Sequence, residues 1–108
     1  MKKEDVIQRI RETAQSVLPA DARLILFGSQ ARGDARQDSD WDLLLLIDKD
    51  SRITNADFDR FAYPLVDLGW TINEEINPLI YTFHDWEKRK FTPLYKNVET
   101  EGVELLCR

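Results

Sequence analysis

The sequence predicts an α/β (α+β) domain in which a small mixed β-sheet is flanked by helices. Segments with apolar residues at helical spacing alternate with short apolar runs, in the order α-β-α-β-α-β-α. The leucines of the run at residues 41–47, WDLLLLI, do not alternate with polar residues, which is typical of a strand covered on both faces. Residues 55–69 are long enough for the crossover helix that parallel strands need. The 108 residues, 43% of them hydrophobic, suit a single domain over residues 1–108.

The first half of the chain predicts a helix, a strand and a second, short helix. Residues 4–18 carry apolar side chains at helical spacing and are followed by a proline. The run RLILF at residues 23–27 stops at Gly28 and predicts a strand. A short helix is expected to begin at Ser29, because serine favours helix N-termini. Residues 33–39, GDARQDS, predict a polar loop.

The second half predicts two more strands around a crossover helix. The strand at residues 41–47 is followed by the helix at 55–69, which we expect to be kinked or broken at Pro64. Residues 75–82, EINPLIYT, predict a third strand. Pro78 within it predicts either an edge position in the sheet or a bulge.

The end of the chain leaves two alternatives open. Residues 84–100 predict either one helix or two, interrupted near Thr92-Pro93. Residues 103–107, VELLC, predict either a last strand or a tail that docks on the domain.

Charge and composition narrow the classes of partner. The formal net charge is −5, which argues against binding to nucleic acid or to an anionic membrane surface, since both need clustered Lys and Arg. No apolar run approaches the roughly 20 residues that span a bilayer. Cys107 is the only cysteine, which excludes an internal disulfide and a cysteine-built metal site. We therefore expect a cytoplasmic protein with no nucleic-acid or membrane partner.

Asp40 and Asp42 lie where the leucine-rich strand begins. Side chains alternate along a strand, so both carboxylates are expected on one face, with their Cα atoms about 6.6 Å apart. Two like charges at this separation repel each other unless a cation compensates them. Mg²⁺ is commonly held by one or two carboxylates together with substrate phosphates and water. We therefore predict that Asp40 and Asp42 are catalytic metal ligands and that Mg²⁺ is the metal.

The Gly28-Ser29 step supplies the features of a phosphate site. A strand that ends in glycine before a helix leaves backbone N–H groups free for an anion. Ser29 adds a hydroxyl donor, Arg32 has the planar fork that suits phosphate, and Gly33 lets the chain leave the helix. A phosphate site followed by a metal-binding pair predicts binding of a nucleoside triphosphate with Mg²⁺, and phosphoryl or nucleotidyl transfer.

Two of the predicted nucleotide contacts have alternatives. Arg32 either binds phosphate or pairs with Asp34 or Asp38 at the surface. Ser39 either contacts the nucleotide or caps the turn that sets the geometry of the aspartates.

The stretch GSQARGDARQDSDWD contains Gly-Ser, ten further residues and then Asp-x-Asp. It resembles the signature of the polymerase-beta-like nucleotidyltransferase superfamily, and specifically of its minimal, MNT-type branch, over nearly the whole chain. The matching positions are Gly28, Ser29, Arg32, Gly33, Ser39, Asp40 and Asp42. The resemblance implies a nucleotidyltransferase-like fold, with the triphosphate on the Gly-Ser step and Mg²⁺ on the aspartates. It also implies transfer of a nucleoside monophosphate, AMP from ATP, to a hydroxyl with release of pyrophosphate.

The sequence departs from this family at a third carboxylate. Members of the family often carry one on a later strand, where it helps to bind metal and can deprotonate the acceptor hydroxyl. Asn77 is the best match for this position here, and an amide cannot act as a base. Glu75, two residues earlier on the same strand face, is the expected substitute if the register shifts.

The resemblance also implies a partner. Nothing after the third strand is large enough to enclose an acceptor, so we expect the acceptor hydroxyl on another protein or on a small molecule. Minimal members similar to this chain are commonly antitoxins paired with a small helical HEPN-type protein. The alternative function is a weakly active or inactive nucleotide-binding protein that neutralises a HEPN-like partner by binding alone. The nucleotide, the acceptor and homo-oligomer formation are left open.

Overall fold

A computed structural model describes residues 1–106 and contains one sheet of four strands. The strands are Arg23–Phe27 (β1), Trp41–Ile47 (β2), Ile76–Thr82 (β3) and Val103–Leu106 (β4). They lie in the order β3-β2-β1-β4. The β1 strand is antiparallel to both β2 and β4, whereas β2 and β3 are parallel. The predicted small mixed sheet is therefore confirmed.

Helices pack on both faces of the sheet. They are Lys3–Val17 (α1), Ser29–Arg32 (α2), Asn55–Asp57 (α3), Tyr63–Ile72 (α4), Phe83–Glu87 (α5) and Pro93–Glu101 (α6). The parallel connection from β2 to β3 runs through α3 and α4, which confirms the predicted crossover. Among the helices within residues 1–106, none is both long and apolar enough to cross a bilayer.

The leucines of β2 fill the core on both sides of the sheet. The odd-numbered residues from Leu43 to Ile47 belong to the larger hydrophobic cluster, together with residues of α1 and α4. Leu44 and Leu46 belong to a smaller cluster on the opposite face, which α5 and α6 cover. A run without alternation is therefore explained by burial on both faces, as the sequence predicts.

A π-helical turn, Phe58–Ala62, joins α3 to α4. The N–H of Tyr63 donates to the carbonyl of Phe58, five residues earlier, instead of to the usual fourth. Pro64 follows in the first turn of α4, where a proline is well tolerated because it has no N–H to lose there. The interruption predicted at Pro64 is thus a π turn just before it, and the helix then continues to Ile72 instead of ending at residue 69.

The β3 strand lies at an edge of the sheet because it pairs with β2 alone. The pairing runs from Ile76 to Thr82 without a register shift. Pro78, which has no N–H for a ladder bond, is therefore accommodated at an edge and not in a bulge.

The predicted interruption near Thr92-Pro93 separates α5 from α6. Thr92 caps α6, because its Oγ1 accepts a hydrogen bond from the N–H of Tyr95 at 3.2 Å. The segment after α6 is the strand β4 and not a docking tail. The predicted last position of that strand, Cys107, lies outside the described residues.

The strand topology brings several chain segments to one end of the sheet. Phe27, the last residue of β1, pairs with Asp42, and Asp42 pairs with Asn77 across the parallel ladder. Leu26 pairs with Val103 at the start of β4, so the C-terminus of α6 reaches the same end. The Gly-Ser step and both aspartates therefore meet here.

Candidate functional site

The two aspartates lie at the start of β2. The strand begins at Trp41, so Asp40 immediately precedes it and Asp42 is its second residue. Asp40 is exposed, whereas Asp42 is half-buried. Trp41 lies between them and is buried, with its indole N–H donating to Oε1 of Glu74 at 2.8 Å. The alternation of the strand therefore separates the tryptophan from the pair of carboxylates.

Asn77 occupies the position beside the aspartate pair. It pairs with Asp42 in the parallel register, and its Nδ2 donates to Oδ2 of Asp40 at 3.0 Å. Glu75 precedes β3, and its backbone carbonyl accepts a hydrogen bond from the N–H of Trp41 at 2.8 Å. Within residues 1–106, no three His, Cys, Asp or Glu side chains are grouped closely enough to hold a metal ion. The register thus brings Asn77 to the pair, and a catalytic role for Glu75 stays a prediction.

Gly28 joins β1 to α2 in a conformation that favours glycine. Its φ is 78°, and a Cβ at this position would collide with Oδ2 of Asp42. The N–H groups of Ala31 and Arg32 both donate to the carbonyl of Gly28 at 3.0 Å, which leaves the N–H groups of Ser29 and Gln30 without an acceptor within the helix. Gly33 ends α2 with a φ of 85°, and its N–H donates to the carbonyl of Ser29 at 3.0 Å. The two glycines therefore fix a short helix against the half-buried aspartate.

Glu101 is a site residue that the sequence did not predict. Its Oε1 accepts a hydrogen bond from the N–H of Gly28 at 3.0 Å, and both carboxylate oxygens lie 3.2 Å from Nη1 of Arg32. It is the last residue of α6 and lies 73 positions from Gly28 in the sequence. No local motif marks such a contact, because the pairing of β4 with β1 produces it.

Arg32 is held between two carboxylates. Its Nε donates to Oδ2 of Asp34 at 3.2 Å, and its Nη1 donates to Glu101. Both hydrogen bonds raise the pKa of the guanidinium, and the bond to Glu101 has the larger effect. Of the two surface pairings predicted for Arg32, the one with Asp34 is present. Phosphate binding by Arg32 stays a prediction.

Ser39 organises the loop before the aspartates. Its Oγ accepts a hydrogen bond from the N–H of Arg36 at 2.7 Å, and its own N–H donates to the carbonyl of Arg36 at 3.0 Å. The buried Gln30 of α2 donates from Nε2 to the carbonyl of Ser39 at 3.2 Å. These bonds are those of the predicted turn cap, and they tie the loop to α2. A contact between Ser39 and a nucleotide stays a prediction.

The pKa of the Asp42 carboxyl is raised above its usual range. Burial is the main cause, and the negative charge of Asp40 is the second. The Asn77 amide and the Arg32 charge lower the pKa again in part, while the charge of Glu101 raises it. A proton or a cation is therefore the favoured companion of the Asp42 carboxylate.

The metal-free protein is expected to lose stability as the pH rises through the folded-state pKa of Asp42. This pKa lies above the unfolded value of about 3.9, so the folded protein keeps the proton where the unfolded chain has lost it. The resulting stabilisation is complete below the unfolded pKa and is lost above the folded one. Asp42→Asn should abolish this contribution, which thermal melts with a chelator from about pH 4 to about pH 7 would measure.

The exposed Asp21 provides the control for this measurement. Asp21→Asn removes one negative charge before the start of β1, at the end of that strand opposite Gly28, and its melting temperatures should follow those of the wild type across the pH range. Parallel curves for the wild type and Asp42→Asn at every pH would show that Asp42 does not have the raised pKa.

A groove of about 1040 Å³ runs beside the start of β3. Ser39 and Asn77 are among its lining residues, whereas neither aspartate of the pair is, and Asn77 links it to the aspartate pair through its hydrogen bond to Asp40. Trp70 of α4, whose side chain is 80% exposed, lines it together with Phe58 and Val66. The groove therefore adjoins the aspartate pair at Asn77 and has an apolar wall on the side of α4.

The side chains present fit one hard divalent cation. The carboxylates of Asp40 and Asp42 and the amide oxygen of Asn77 are oxygen donors, which Mg²⁺ prefers. Because Mg²⁺ takes six ligands in octahedral geometry and these three side chains do not supply them all, an ion here needs further oxygen ligands such as phosphate or water. A second ion would usually need another carboxylate. The donor set thus fits Mg²⁺ that binds together with an oxygen-rich substrate.

The profile of the nucleotidyltransferase domain family matches residues 7–104. The chain belongs to this family. The matched range includes the Gly28-Ser29 step, both aspartates and Glu101, so the nucleotidyltransferase resemblance of the motif is confirmed at the level of the family. No curated protein matches the nucleotidyltransferase chain significantly.

Several solved structures share the fold of this nucleotidyltransferase domain. A chain of a toxin–antitoxin complex crystallised with AMP-PNP is 19% identical, with a TM-score of 0.67 over 94% of this chain and 73% of that one. A chain of the complex between a tri-AMPylated HEPN toxin of Shewanella oneidensis and its MNT antitoxin is 15% identical, with a TM-score of 0.61 over 99% and 74%. A protein of Sulfolobus solfataricus described as a nucleotidyltransferase is 17% identical, with a TM-score of 0.66 over 98% and 84%. These similarities establish the nucleotidyltransferase-like fold that the sequence predicts.

Proposed function

We propose that this nucleotidyltransferase domain transfers a nucleoside monophosphate, AMP from ATP, to a hydroxyl group in a Mg²⁺-dependent reaction. The observation that supports this most is the contact between the Gly-Ser step and the metal-binding pair. Gly28 packs against the Asp42 carboxylate so closely that no Cβ would fit between them. The hydrogen-bond donors for phosphate and the oxygen ligands for Mg²⁺ are therefore adjacent, as binding of a triphosphate together with its metal ion requires.

In this proposal the chain binds the triphosphate at two points. The carboxylates of Asp40 and Asp42 would hold Mg²⁺, which when bound would neutralise charge on the phosphates. The N–H of Gly28, Ser29 and the guanidinium of Arg32 donate to phosphate oxygens. Together these contacts would fix the position of the triphosphate relative to the aspartate pair.

The transfer itself needs an acceptor oxygen and a base. The acceptor oxygen bonds to the α-phosphorus, the bond to the bridging oxygen breaks, and pyrophosphate leaves with that electron pair. The acceptor proton passes to a base or to solvent water. Glu75 is the predicted base, because the amide of Asn77 cannot accept a proton at neutral pH.

We propose that the acceptor hydroxyl belongs to a small helical HEPN-type protein in the cytoplasm, and that the chain acts as its antitoxin. Chains of similar fold occur in complexes described as toxin–antitoxin pairs, and one such toxin is AMPylated. The groove that Asn77 lines would leave space for a side chain of a partner on one side of the proposed site.

The proposal is tested with the chain purified from its native host together with the proteins that it retains. We expect pyrophosphate release and a nucleotide adduct on a retained protein when ATP and Mg²⁺ are present, and neither product when a chelator replaces Mg²⁺. Mass spectrometry of the retained proteins detects the adduct. Release of pyrophosphate without any adduct would point to a small-molecule acceptor, and the absence of both would refute transfer.

A second candidate function is neutralisation of the HEPN-like partner by binding alone. The position of Asn77 supports it, because the amide takes the place where a third carboxylate would serve catalysis. Growth of cells that co-express the toxin and Asp40→Ala/Asp42→Ala separates the two candidates. Protection by this double variant favours binding alone, whereas loss of protection favours transfer.

A further inference from the structure

The Glu101 carboxylate occupies the donors that the proposed function assigns to phosphate. The N–H of Gly28 lies 3.0 Å from Oε1, and Nη1 of Arg32 lies 3.2 Å from both carboxylate oxygens. The side chain of Glu101 is only 18% exposed, whereas that of Arg32 is 47% exposed. A single internal anion thus takes both a backbone donor and the guanidinium at the Gly-Ser step.

The backbone holds Glu101 in this place. Gly102 follows it directly, and a Cβ on Gly102 would collide with the carbonyl of Val98 and with the side chain of Ile25. Val103 then pairs with Leu26 at the start of β4. The end of α6 is therefore packed tightly on β1. Because the backbone is held in place, Glu101 can free the N–H of Gly28 only by a change in its side-chain conformation.

The charges around Glu101 oppose a second anion at the same donors. The carboxylate of Asp42 adjoins the same step, since its Oδ2 would collide with a Cβ on Gly28, and Asp40 lies two residues before it. Arg32 is the cation here, and it already donates to Glu101 and Asp34. A phosphate that bound with Glu101 still in place would add further repulsion and would find the N–H of Gly28 already used.

We propose that Glu101 is an internal competitor that a polyphosphate must displace from Gly28 and Arg32, so that it sets the affinity and selectivity of the site. This inference rests on the proposed nucleotide-binding function. A single phosphate gains little over the carboxylate that it replaces, since both offer oxygen acceptors to the same donors. A triphosphate with Mg²⁺ also gains the contacts with Asp40 and Asp42. Competition by Glu101 therefore favours the metal-bound triphosphate over a single phosphate.

The test compares Glu101→Gln with Glu99→Gln by calorimetric titration of the full chain. The ligands are Mg²⁺-ATP and Mg²⁺ with inorganic tripolyphosphate. Glu101→Gln should bind both about three to ten times more tightly, because the displaced group no longer carries charge. Glu99 is exposed on the same helix and carries the same charge, so Glu99→Gln should bind like the wild type. Unchanged or weaker binding by Glu101→Gln would show that Glu101 orients Arg32 and does not compete.

Measuring both binding and nucleotide transfer separates this inference from the proposed function. Tighter tripolyphosphate binding by Glu101→Gln, with no nucleotide transfer by any variant, supports the competitor and refutes the transferase. Transfer by the wild type, with no gain in affinity in Glu101→Gln, supports the transferase and refutes the competitor.

A measurement on the wild type avoids any effect of substitution on folding. The side-chain carboxyl ¹³C resonance of Glu101 should shift when tripolyphosphate and Mg²⁺ are added, because the carboxylate loses both donors. A resonance that stays unchanged while the ligand binds would overturn the proposal.

Discussion

Asp42→Asn is expected to lower Mg²⁺-dependent nucleotidyl transfer by at least about a hundredfold, the scale at which loss of one electrostatic group at a reaction centre is felt. The substitution keeps the size of the side chain, so the contact with Gly28 is preserved. It removes the charge of a proposed metal ligand that also adjoins the Gly-Ser step. Pyrophosphate release at saturating ATP measures the effect.

The same substitution should stabilise the metal-free protein at neutral pH, because it removes a half-buried charge next to Asp40. Lower activity together with higher stability distinguishes loss of a functional charge from damage to the fold. Asp21→Asn, a change on the exposed loop before β1, should leave activity unchanged. Undiminished transfer by Asp42→Asn or by the Asp40→Ala/Asp42→Ala variant would remove the aspartates from the proposed mechanism.

The parts of the site that the sequence predicts are those that local chemistry determines. Gly28 and Ser29 end an apolar strand, and Asp42 opens another, so their residue types alone indicate a turn and a charged strand end. The antiparallel pairing of β1 with β2 then places these ends together. Burial of the leucines of β2 on both faces follows from the same short segment, because no polar residue interrupts it.

The parts that the sequence does not predict depend on pairings between distant segments. Glu101 reaches Gly28 only because β4 adds to the free side of β1, and VELLC is equally compatible with a tail. The choice between Asn77 and Glu75 depends on the register of β3 against β2, and a shift of two residues would exchange them. Periodicity within β3 gives the face of the side chain but not the register, so only the structure decides.

Asn77→Asp is expected to raise nucleotidyl transfer by at least about tenfold over the rate that the wild type reaches with Glu75 or solvent water as the base, since a carboxylate base placed beside the metal ligands contributes roughly a hundredfold or more in other enzymes. The new carboxylate replaces an amide that donates to Oδ2 of Asp40 at 3.0 Å. It therefore lies within reach of the same cation and supplies the basic oxygen that the amide lacks. Initial rates of pyrophosphate release with Mg²⁺ and ATP measure the gain.

The stability of Asn77→Asp provides a second readout that does not depend on turnover. Without metal, the exchange of a hydrogen bond for repulsion between carboxylates should lower the melting temperature, and Mg²⁺ should raise it more than in the wild type. Asn97→Asp adds the same charge on the exposed face of α6 and should show neither effect. If Asn77→Asp gains neither activity nor stabilisation by Mg²⁺, the position beside Asp40 and Asp42 is not part of a metal site. If stabilisation by Mg²⁺ increases without activity, the third carboxylate binds metal, and the missing element is the base or the acceptor.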